Sequence, residues 1–263
     1  MAGKKISDFR FQISDFRFQI SDFRFQISDF RFQNLEPKTL YLKPKNMQIH
    51  YLSEENSILN HFLGQIRNVN VQKDSMRFRR NIERIGEVMS YELSKNLHYK
   101  NVDIQTPLGI KKTTEIEDDL VLCSILRAGL PLHLGFLNYF DASENGFVSA
   151  YRHHYNNDEA FEIKVEYQAV PSIENKNLLL IDPMLATGQS MVAVFNKLME
   201  KGTPKEVHIA VVIAVPEGIA YLQENLPDHC HLWVATLDEK LNEKNYIVPG
   251  LGDAGDLAYG NKL

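Results

Sequence analysis

The sequence predicts an α/β fold, a mostly parallel sheet flanked by helices, with a small hood or lid region and an extra N-terminal repeat tail. Three apolar runs, Leu120–Leu126, Leu178–Ile181 and Val207–Val215, have the continuous hydrophobic character of strands buried on both faces. Segments with apolar residues at helical spacing separate them. Strands that alternate with helices in this way are typical of a parallel sheet covered on both sides.

The other elements follow from the same periodicities and from turn residues between them. In chain order, we expect a short helix around Glu54–Leu63, a long helix around Asp74–Leu97, a helix after Pro131, a strand near Phe147–Tyr151, a polar, lid-like excursion through Glu166, a helix at Gln189–Lys201, a turn at Gly202, a helix at Glu217–Asn225 and a strand at His231–Ala235.

The N-terminal part is a perfect repeat: the heptapeptide Ile-Ser-Asp-Phe-Arg-Phe-Gln occurs four times between Ile6 and Gln33. Its length suits a coiled-coil heptad and short strands equally well. Identical copies favour a tandem expansion of the sequence, and an oligomerising or docking arm is the functional alternative. Pro37 and Pro44 then mark a linker. We therefore expect a repeat tail and linker at 1–46 and a globular domain at 47–263 that starts at Met47.

Charge divides the chain in the same place. Residues 1–46 contain nine Lys and Arg against five Asp and Glu, a net charge of +4, which leaves −9 for residues 47–263 out of the total of −5. An acidic body disfavours nucleic acid as a partner, because broad binding to phosphates needs a basic face. Local cations still suffice for a small anionic substrate.

Segment lengths and cysteines bear on location. No apolar run approaches the roughly 18 residues that a membrane span requires, and the N-terminus lacks the apolar core of a secretory signal. Cys123 and Cys230 each lie in an apolar run without metal-binding spacing, so we expect reduced core residues. These features predict a cytoplasmic protein without a membrane partner.

The most informative motif runs from Asn177 through Asp182 to Ser190. An apolar strand leads into Asp182, a short loop, and Thr-Gly-Gln-Ser at the start of an amphipathic helix. Free amides at a helix start bind phosphate well, and the helix dipole reinforces them. A carboxylate one loop earlier suits ribose hydroxyls. The pattern predicts a site for a phosphorylated sugar, and the chain lacks the Gly-x-x-x-x-Gly-Lys of a nucleotide P-loop.

Three further segments add candidate binding groups. Arg127 ends a strand beside Gly129, where a guanidinium can contact diphosphate oxygens. Tyr151-Arg152-His153-His154 precedes the lid-like excursion, and we interpret its histidines as solvated loop residues. The segment Tyr246–Asp256 contains Gly-x-Gly-x-x-Gly but is followed by too few residues for a dinucleotide-binding unit. Its glycines can instead bring backbone close to a flat ligand.

Taken in order, these motifs resemble those of the uracil phosphoribosyltransferases, which have a type I phosphoribosyltransferase fold. The motifs are Leu126-Arg127-Ala-Gly129, Tyr151-Arg152, Asp182-Pro-Met-Leu-Ala-Thr-Gly188, Pro216-Glu-Gly218 and Tyr246-Ile-Val-Pro-Gly-Leu-Gly-Asp-Ala-Gly-Asp256. The resemblance covers most of residues 47–263, including Ile66-Arg67 and Phe78-Arg79, and has no counterpart for the repeats. This chain departs from the family pattern at His153-His154, at Gln189 and at its Leu257-Ala-Tyr-Gly-Asn ending.

The resemblance implies transfer of a phosphoribosyl group from 5-phosphoribosyl 1-diphosphate to uracil, giving UMP and pyrophosphate. It implies Mg²⁺ held mainly by the diphosphate, without direct protein ligands, and adds GTP as a candidate effector and a homodimer or higher oligomer. Arg127, Arg152, Asp182 and Asp253 would be the catalytic residues. The same four would bind the phosphoribosyl substrate together with Pro183, Met184, Leu185, Ala186, Thr187, Gly188, Gln189 and Ser190. Uracil would contact Ile247, Gly252, Asp253 and Ala254.

Other functions remain as alternatives at this stage. The same fold could serve a phosphoribosyltransferase for another base, or a pyrimidine-responsive RNA-binding regulator, which the acidic body disfavours. A protein whose main role is interaction through the repeat arm is a third alternative. Substrate tests and comparison with a chain that starts at Met47 would distinguish them.

Overall fold

The computed structural model describes residues 47–154 and 161–262. The predicted repeat tail, the linker and the tip of the lid-like excursion at 155–160 lie outside these ranges. The helices are α1 Ile58–Arg67, α2 Ser75–Ser94, α3 Leu130–Leu137, α4 Gln189–Met199, α5 Pro216–Asn225 and α6 Ala254–Tyr259. The strands are β1 Gln48–Tyr51, β2 Tyr99–Thr106, β3 Gly109–Ile116, β4 Leu120–Leu126, β5 Glu144–His154, β6 Phe161–Ala169, β7 Asn177–Ile181, β8 Met184–Leu185, β9 Glu206–Ala214, β10 Cys230–Leu237, β11 Lys240–Leu241 and β12 Ile247–Val248.

An eight-stranded sheet organises the described residues, in the order β1-β10-β9-β7-β4-β5-β6 with β8 paired to β9. Its strands are parallel except for β6, which runs antiparallel to β5. Alternate residues of the central strands enter two hydrophobic cores, so that Leu179 packs on one face and Leu180 on the other. The predicted α/β fold with a mostly parallel, helix-flanked sheet is confirmed.

Several predicted boundaries need correction. The first helix begins at Ile58 and not at Glu54, because Ser57 caps it: the Ser57 hydroxyl accepts from the Leu59 amide at 3.2 Å. The described parts of the predicted polar excursion are strand residues: His153 and His154, interpreted above as loop residues, end β5 and pair with β6. The alternation of Phe161, Ile163 and Val165 with charged residues is the strand signal that was missed.

Two hairpins were also missed. Strands β2 and β3 pair with each other outside the main sheet, and most of their side chains are exposed. Strands β11 and β12 form a second small hairpin, just before residues 250–255, which we call the C-terminal glycine segment. Within the described ranges, no helix is both long and apolar enough to cross a membrane.

Candidate active site

A cavity of about 550 Å³ opens at the carboxyl ends of the central parallel strands. Residues 125–128 line it from the end of β4, Asp182 and Met184 from the loop after β7, and Ser190 from the start of α4. The β11–β12 hairpin and residues 252–255 close the other side. Ligands in parallel α/β sheets bind at this edge, so the position matches the prediction from sequence.

Asp182 lies at the base of this cavity, directly after the fully buried strand β7. The Met184 amide donates to its Oδ1 at 3.2 Å. Burial raises the pKa of this carboxyl to about 7, and the Met184 hydrogen bond opposes the rise. A carboxyl accepts hydrogen bonds when it is ionised and can also donate one when it is protonated.

The loop after Asp182 turns into α4 through Gly188, whose φ of 78° favours glycine. Gly188 has no side chain to cap the helix, so the first amides of α4 remain available to an anion. Helix α5 packs against this loop through Gly218. A Cβ on Gly218 would lie 2.3 Å from the Ala186 carbonyl oxygen, which explains the glycine of the Pro216-Glu-Gly218 motif.

Arg127 follows β4 in a turn that requires Gly129, since a Cβ there would lie 2.6 Å from the Ile125 carbonyl oxygen. Its Nη2 donates to Asp256 Oδ1 at 3.1 Å and to the Gly260 carbonyl at 3.0 Å. Its Nε is buried and has no partner among the described residues. The guanidinium is thus held between the strand end and the C-terminal segment, at the wall of the cavity.

The C-terminal glycine segment approaches the same point. Gly250 and Gly252 have φ values of 63° and 96°, which let the backbone turn sharply. Asp253 then caps α6 by accepting the Asp256 amide at 2.9 Å. A Cβ on Gly255 would lie 3.2 Å from Asp253 Oδ1 and 3.9 Å from Arg127 Nη2. Asp253 and Arg127 are therefore close neighbours although they are far apart in sequence.

The sequence-predicted residues do not all face the cavity. Those that line it are Arg127, Asp182, Met184, Ser190, Gly252, Asp253 and Ala254. Leu185 and Ile247 are instead buried in the two cores, and the Pro183 carbonyl accepts the Val212 and Ile213 amides, which ties the loop to β9. Ala186, Thr187, Gly188 and Gln189 complete the loop between lining residues. For Arg152 only the backbone is described, as a strand residue paired with Ile163.

Sequence reasoning missed part of the cavity wall: Lys244, Asn245 and Lys262, with Tyr246 quoted only as part of a motif. The side-chain oxygen of Asn242 accepts the amides of Lys244 and Tyr246 at 2.9 and 3.0 Å, and Asn245 adopts a φ of 59°. Two asparagines that stabilise a tight turn were an available signal. The turn brings cationic Lys244 to the cavity of an otherwise acidic domain.

Comparison with known proteins identifies the family. The family model for uracil phosphoribosyltransferase matches residues 53–261. A uracil phosphoribosyltransferase of Porphyromonas gingivalis is 51% identical over 217 residues, 82% of this chain and 100% of the relative. That of Thermococcus gammatolerans is 35% identical over 216 residues, 81% of this chain and 94% of the relative.

A solved structure has a similar fold. The AQ2163 protein from Aquifex aeolicus superposes with a TM-score of 0.72 at 29% identity, over 81% of this chain and 98% of that protein. The residues that the family model matches, 53–261, include the strands, the Asp182 loop and the glycine segment that form the cavity. The chain belongs to the uracil phosphoribosyltransferase family.

Proposed function

We propose that the protein is a pentosyl-transferring enzyme of pyrimidine salvage. It moves the 5-phosphoribosyl group from 5-phosphoribosyl 1-diphosphate to uracil, giving UMP and pyrophosphate. The observation that supports this most is the meeting of the Asp182 loop, Arg127 and the Gly252–Ala254 segment in one cavity. Family membership supports the same reaction.

Sugar and phosphate are assigned to the loop from Asp182 to Ser190. The Asp182 carboxyl would hold the ribose hydroxyls, and the backbone from Ala186 to Ser190 would bind the 5-phosphate at the start of α4. Pro183, Met184 and Leu185 fix the loop to β9, because the Pro183 carbonyl bonds that strand and Met184 and Leu185 pair with it as β8. A fixed loop lowers the entropic cost of orienting the sugar.

Arg127 and Arg152 are assigned to the diphosphate. When the bond at the anomeric carbon breaks, negative charge grows on this leaving group and positive charge on the sugar. Guanidinium groups placed beforehand stabilise that charge as it develops. The Asp256 carboxylate holds Arg127 at the cavity wall. Asp253, beside Arg127 and the glycine segment, would face the sugar.

Mg²⁺ fits this arrangement as an ion carried by the diphosphate. It prefers oxygen ligands and keeps several waters, and the cavity offers two carboxylates, Asp182 and Asp253. Over the described ranges, no group of three or more His, Cys, Asp or Glu side chains is arranged to hold a metal ion. When bound, Mg²⁺ would neutralise charge on the departing diphosphate.

The base is assigned to Gly252, Asp253 and Ala254, which line the cavity; Ile247, the fourth residue predicted to contact uracil, is buried in the core beside this segment. Uracil presents a carbonyl, an N–H and a second carbonyl along one edge, which backbone donors and acceptors can match. Cytosine reverses part of this pattern and would leave buried peptide groups unpaired, a costly mismatch. A backbone-lined pocket therefore suits uracil.

The test is product formation from a panel of bases. The full chain is incubated with 5-phosphoribosyl 1-diphosphate, Mg²⁺ and either uracil, cytosine, hypoxanthine or guanine, and the nucleotides are separated and quantified. We expect UMP from uracil and little product from the others. Conversion of a purine alone would contradict the assignment of the base segment. Tight, salt-sensitive RNA binding modulated by nucleotides would favour the regulator instead.

We also propose a homodimer or higher oligomer. A two-stranded hairpin is marginally stable alone, yet β2–β3 exposes Leu108 completely and Ile110 by 67%. A second copy of the chain would cover these apolar side chains. Light scattering of the wild type and of Leu108→Asp tests this: we expect a multiple of 30.3 kDa that decreases in the variant. A monomeric wild type would contradict it.

Three finer assignments also remain proposals. GTP as an effector rests on the resemblance, and an unchanged rate of UMP formation with added GTP would contradict it. Residues 47–263 are proposed as the catalytic domain, since the family model lies within them; a chain starting at Met47 should keep full turnover. A cytoplasmic location is proposed because Cys123 and Cys230 are both buried free thiols.

A further inference from the structure

A buried ion pair lies behind the C-terminal glycine segment. Arg67, the last residue of α1, donates from both terminal nitrogens to the two oxygens of Asp238, which follows β10. The Nη1–Oδ2 distance is 2.9 Å. The Asp238 side chain is only 4% exposed and that of Arg67 23%.

The same pair holds Gly250 from both sides. Asp238 Oδ2 accepts the Gly250 amide at 2.8 Å, and Arg67 Nη1 donates to the Gly250 carbonyl at 3.1 Å. The next carbonyl, that of Leu251, accepts from Gln72 Nε2 at 3.0 Å, and the same nitrogen donates to the Ile66 carbonyl at 3.0 Å. Three side chains thus fix three polar groups of the Gly250–Leu251 backbone: the Gly250 amide and the carbonyls of Gly250 and Leu251.

Stability alone does not account for this arrangement. A buried ion pair loses hydration that its mutual attraction often fails to recover, so well-packed apolar residues would stabilise the fold as well. A bidentate pair does supply directional hydrogen bonds. Direction matters here because Gly250 and Gly252 both have positive φ and little steric restraint of their own.

We propose that Arg67, Gln72 and Asp238 are positioning residues for the base. They fix Gly250–Leu251, and through it the peptide groups of Gly252–Ala254 that would recognise uracil. The inference rests on the proposed function. We call these three side chains the clamp. Because the clamp contacts Gly250–Leu251, next to the residues that would bind the base, and not the Asp182 loop, its loss raises the KM for uracil much more than the KM for 5-phosphoribosyl 1-diphosphate.

The chain offers a matched control at the opposite end of the sheet. The Asp118 side chain is 1% exposed, bonds Lys205 Nζ at 2.9 Å, and accepts the His98 amide at 2.6 Å. Like Asp238, Asp118 is therefore a buried carboxylate that is bonded to a cationic side chain and to a backbone amide. It lies far from the cavity, so Asp118→Asn reports the structural cost alone.

The experiment compares Asp238→Asn, Arg67→Lys and Gln72→Met with Asp118→Asn in the full chain, measuring both KM values and the melting temperature. We expect the uracil KM to rise about 10-fold or more in the clamp variants, with the other KM changed by less than about 2-fold, because small displacements of recognition groups are costly. Asp118→Asn should lower the melting temperature without separating the two KM values.

Arg67→Lys and Gln72→Met keep the test decisive if Asp238→Asn fails to fold. An unchanged uracil KM in the folded clamp variants, beside an active wild type, would overturn the positioning role. An equal rise of both KM values would do the same. A wild type that forms no UMP would instead contradict the proposed function, so the two failures are distinguishable.

Discussion

Near the amino ends of β9 and β10, His208 is fully buried and His231 partly buried, and His50 of the neighbouring strand β1 lies beside them, whereas at the carboxyl end of β7 Asp182 faces a cavity. His50 stacks on Trp233 with ring centroids 3.8 Å apart, and the Trp233 N–H donates to His208 Nδ1 at 3.2 Å. Burial acts on both ends by disfavouring charge. It lowers the pKa of His208 to about 3 and raises that of Asp182 to about 7.

The two opposite pKa shifts distinguish a group that serves packing, His208, from a group that we assign to function, Asp182. The imidazole of His208 belongs to a packed layer in which burial disfavours its charged form, so that its protonation would destabilise the fold. At the carboxyl end of β7 the partly buried carboxyl of Asp182 is retained beside an open cavity, where it lowers the stability of the fold when it is ionised. Perturbed titration in a cleft is typical of functional groups, and the contrast predicts that the two ends respond oppositely to pH and to substitution.

Among the substitutions that test this contrast, Gly218→Ala has the largest expected effect. The new Cβ would meet the Ala186 carbonyl at 2.3 Å, so the phosphate loop must move. Because small misplacements at a site are costly, we expect kcat/KM for UMP formation to decrease by roughly 100-fold. Gly64→Ala is the matched control, since a Cβ there has no atom within 4 Å. Equal activity of the two variants would break the assignment of the loop.

His208, near the amino end of β9, should make the fold less stable in acid. His208 protonates in the unfolded chain near its ordinary pKa of 6.5. In the folded chain burial lowers this pKa to about 3, with smaller contributions from His231 and His50 that Asp118 opposes. The free energy of unfolding is therefore fully retained above pH 6.5. It falls below that pH by up to about 1.4 kcal/mol per pH unit from this group.

Denaturant unfolding between pH 8 and pH 4.5 measures this slope. His208→Gln, which keeps an acceptor for Trp233, should flatten it, whereas the exposed His61→Gln should not. Identical slopes for wild type and His208→Gln would show that the buried imidazole is not responsible.

Asp182, at the carboxyl end of β7, should change the stability of the fold with pH in the opposite direction. Its effect should be smaller, because Asp182 is partly exposed. A raised carboxyl pKa makes folding less favourable as pH rises from 3.8 towards 7. At pH 8, Asp182→Asn should therefore raise the melting temperature by about 2 °C or more, while it lowers UMP formation. The exposed Asp228→Asn serves as control. A lower melting temperature for Asp182→Asn would contradict the contrast between the two ends.

Much of the central sheet could be predicted because burial on both faces leaves a plain apolar signal. Strand β4 was predicted at its observed bounds, Leu120–Leu126. The β2–β3 hairpin was not, because its strands carry mixed side chains that are mostly exposed on both faces. Alternating or continuous apolar residues indicate burial, so a hairpin that is exposed on both faces has no clear pattern in the sequence.

The site divides in the same way. Asp182, Arg127 and Asp253 could be placed because each belongs to a local motif. Lys244 lies at the cavity because of the β11–β12 hairpin, and the turn-forming asparagines are the only sequence signal that could have predicted this hairpin. The clamp of Arg67 and Asp238 on Gly250 joins residues far apart in sequence, and no local pattern encodes such a contact.

The most direct test of the account is UMP formation from uracil by the wild type, Arg127→Ala and Asp253→Asn under the same conditions. Both side chains meet in the cavity, beside Gly255. The account predicts UMP formation by the wild type and a loss of about 100-fold or more in kcat/KM for Arg127→Ala, because a preorganised charge at the leaving group is removed. Asp253→Asn should also lose activity, and exposed Lys205→Ala should keep it. Full activity in both site variants would contradict the account.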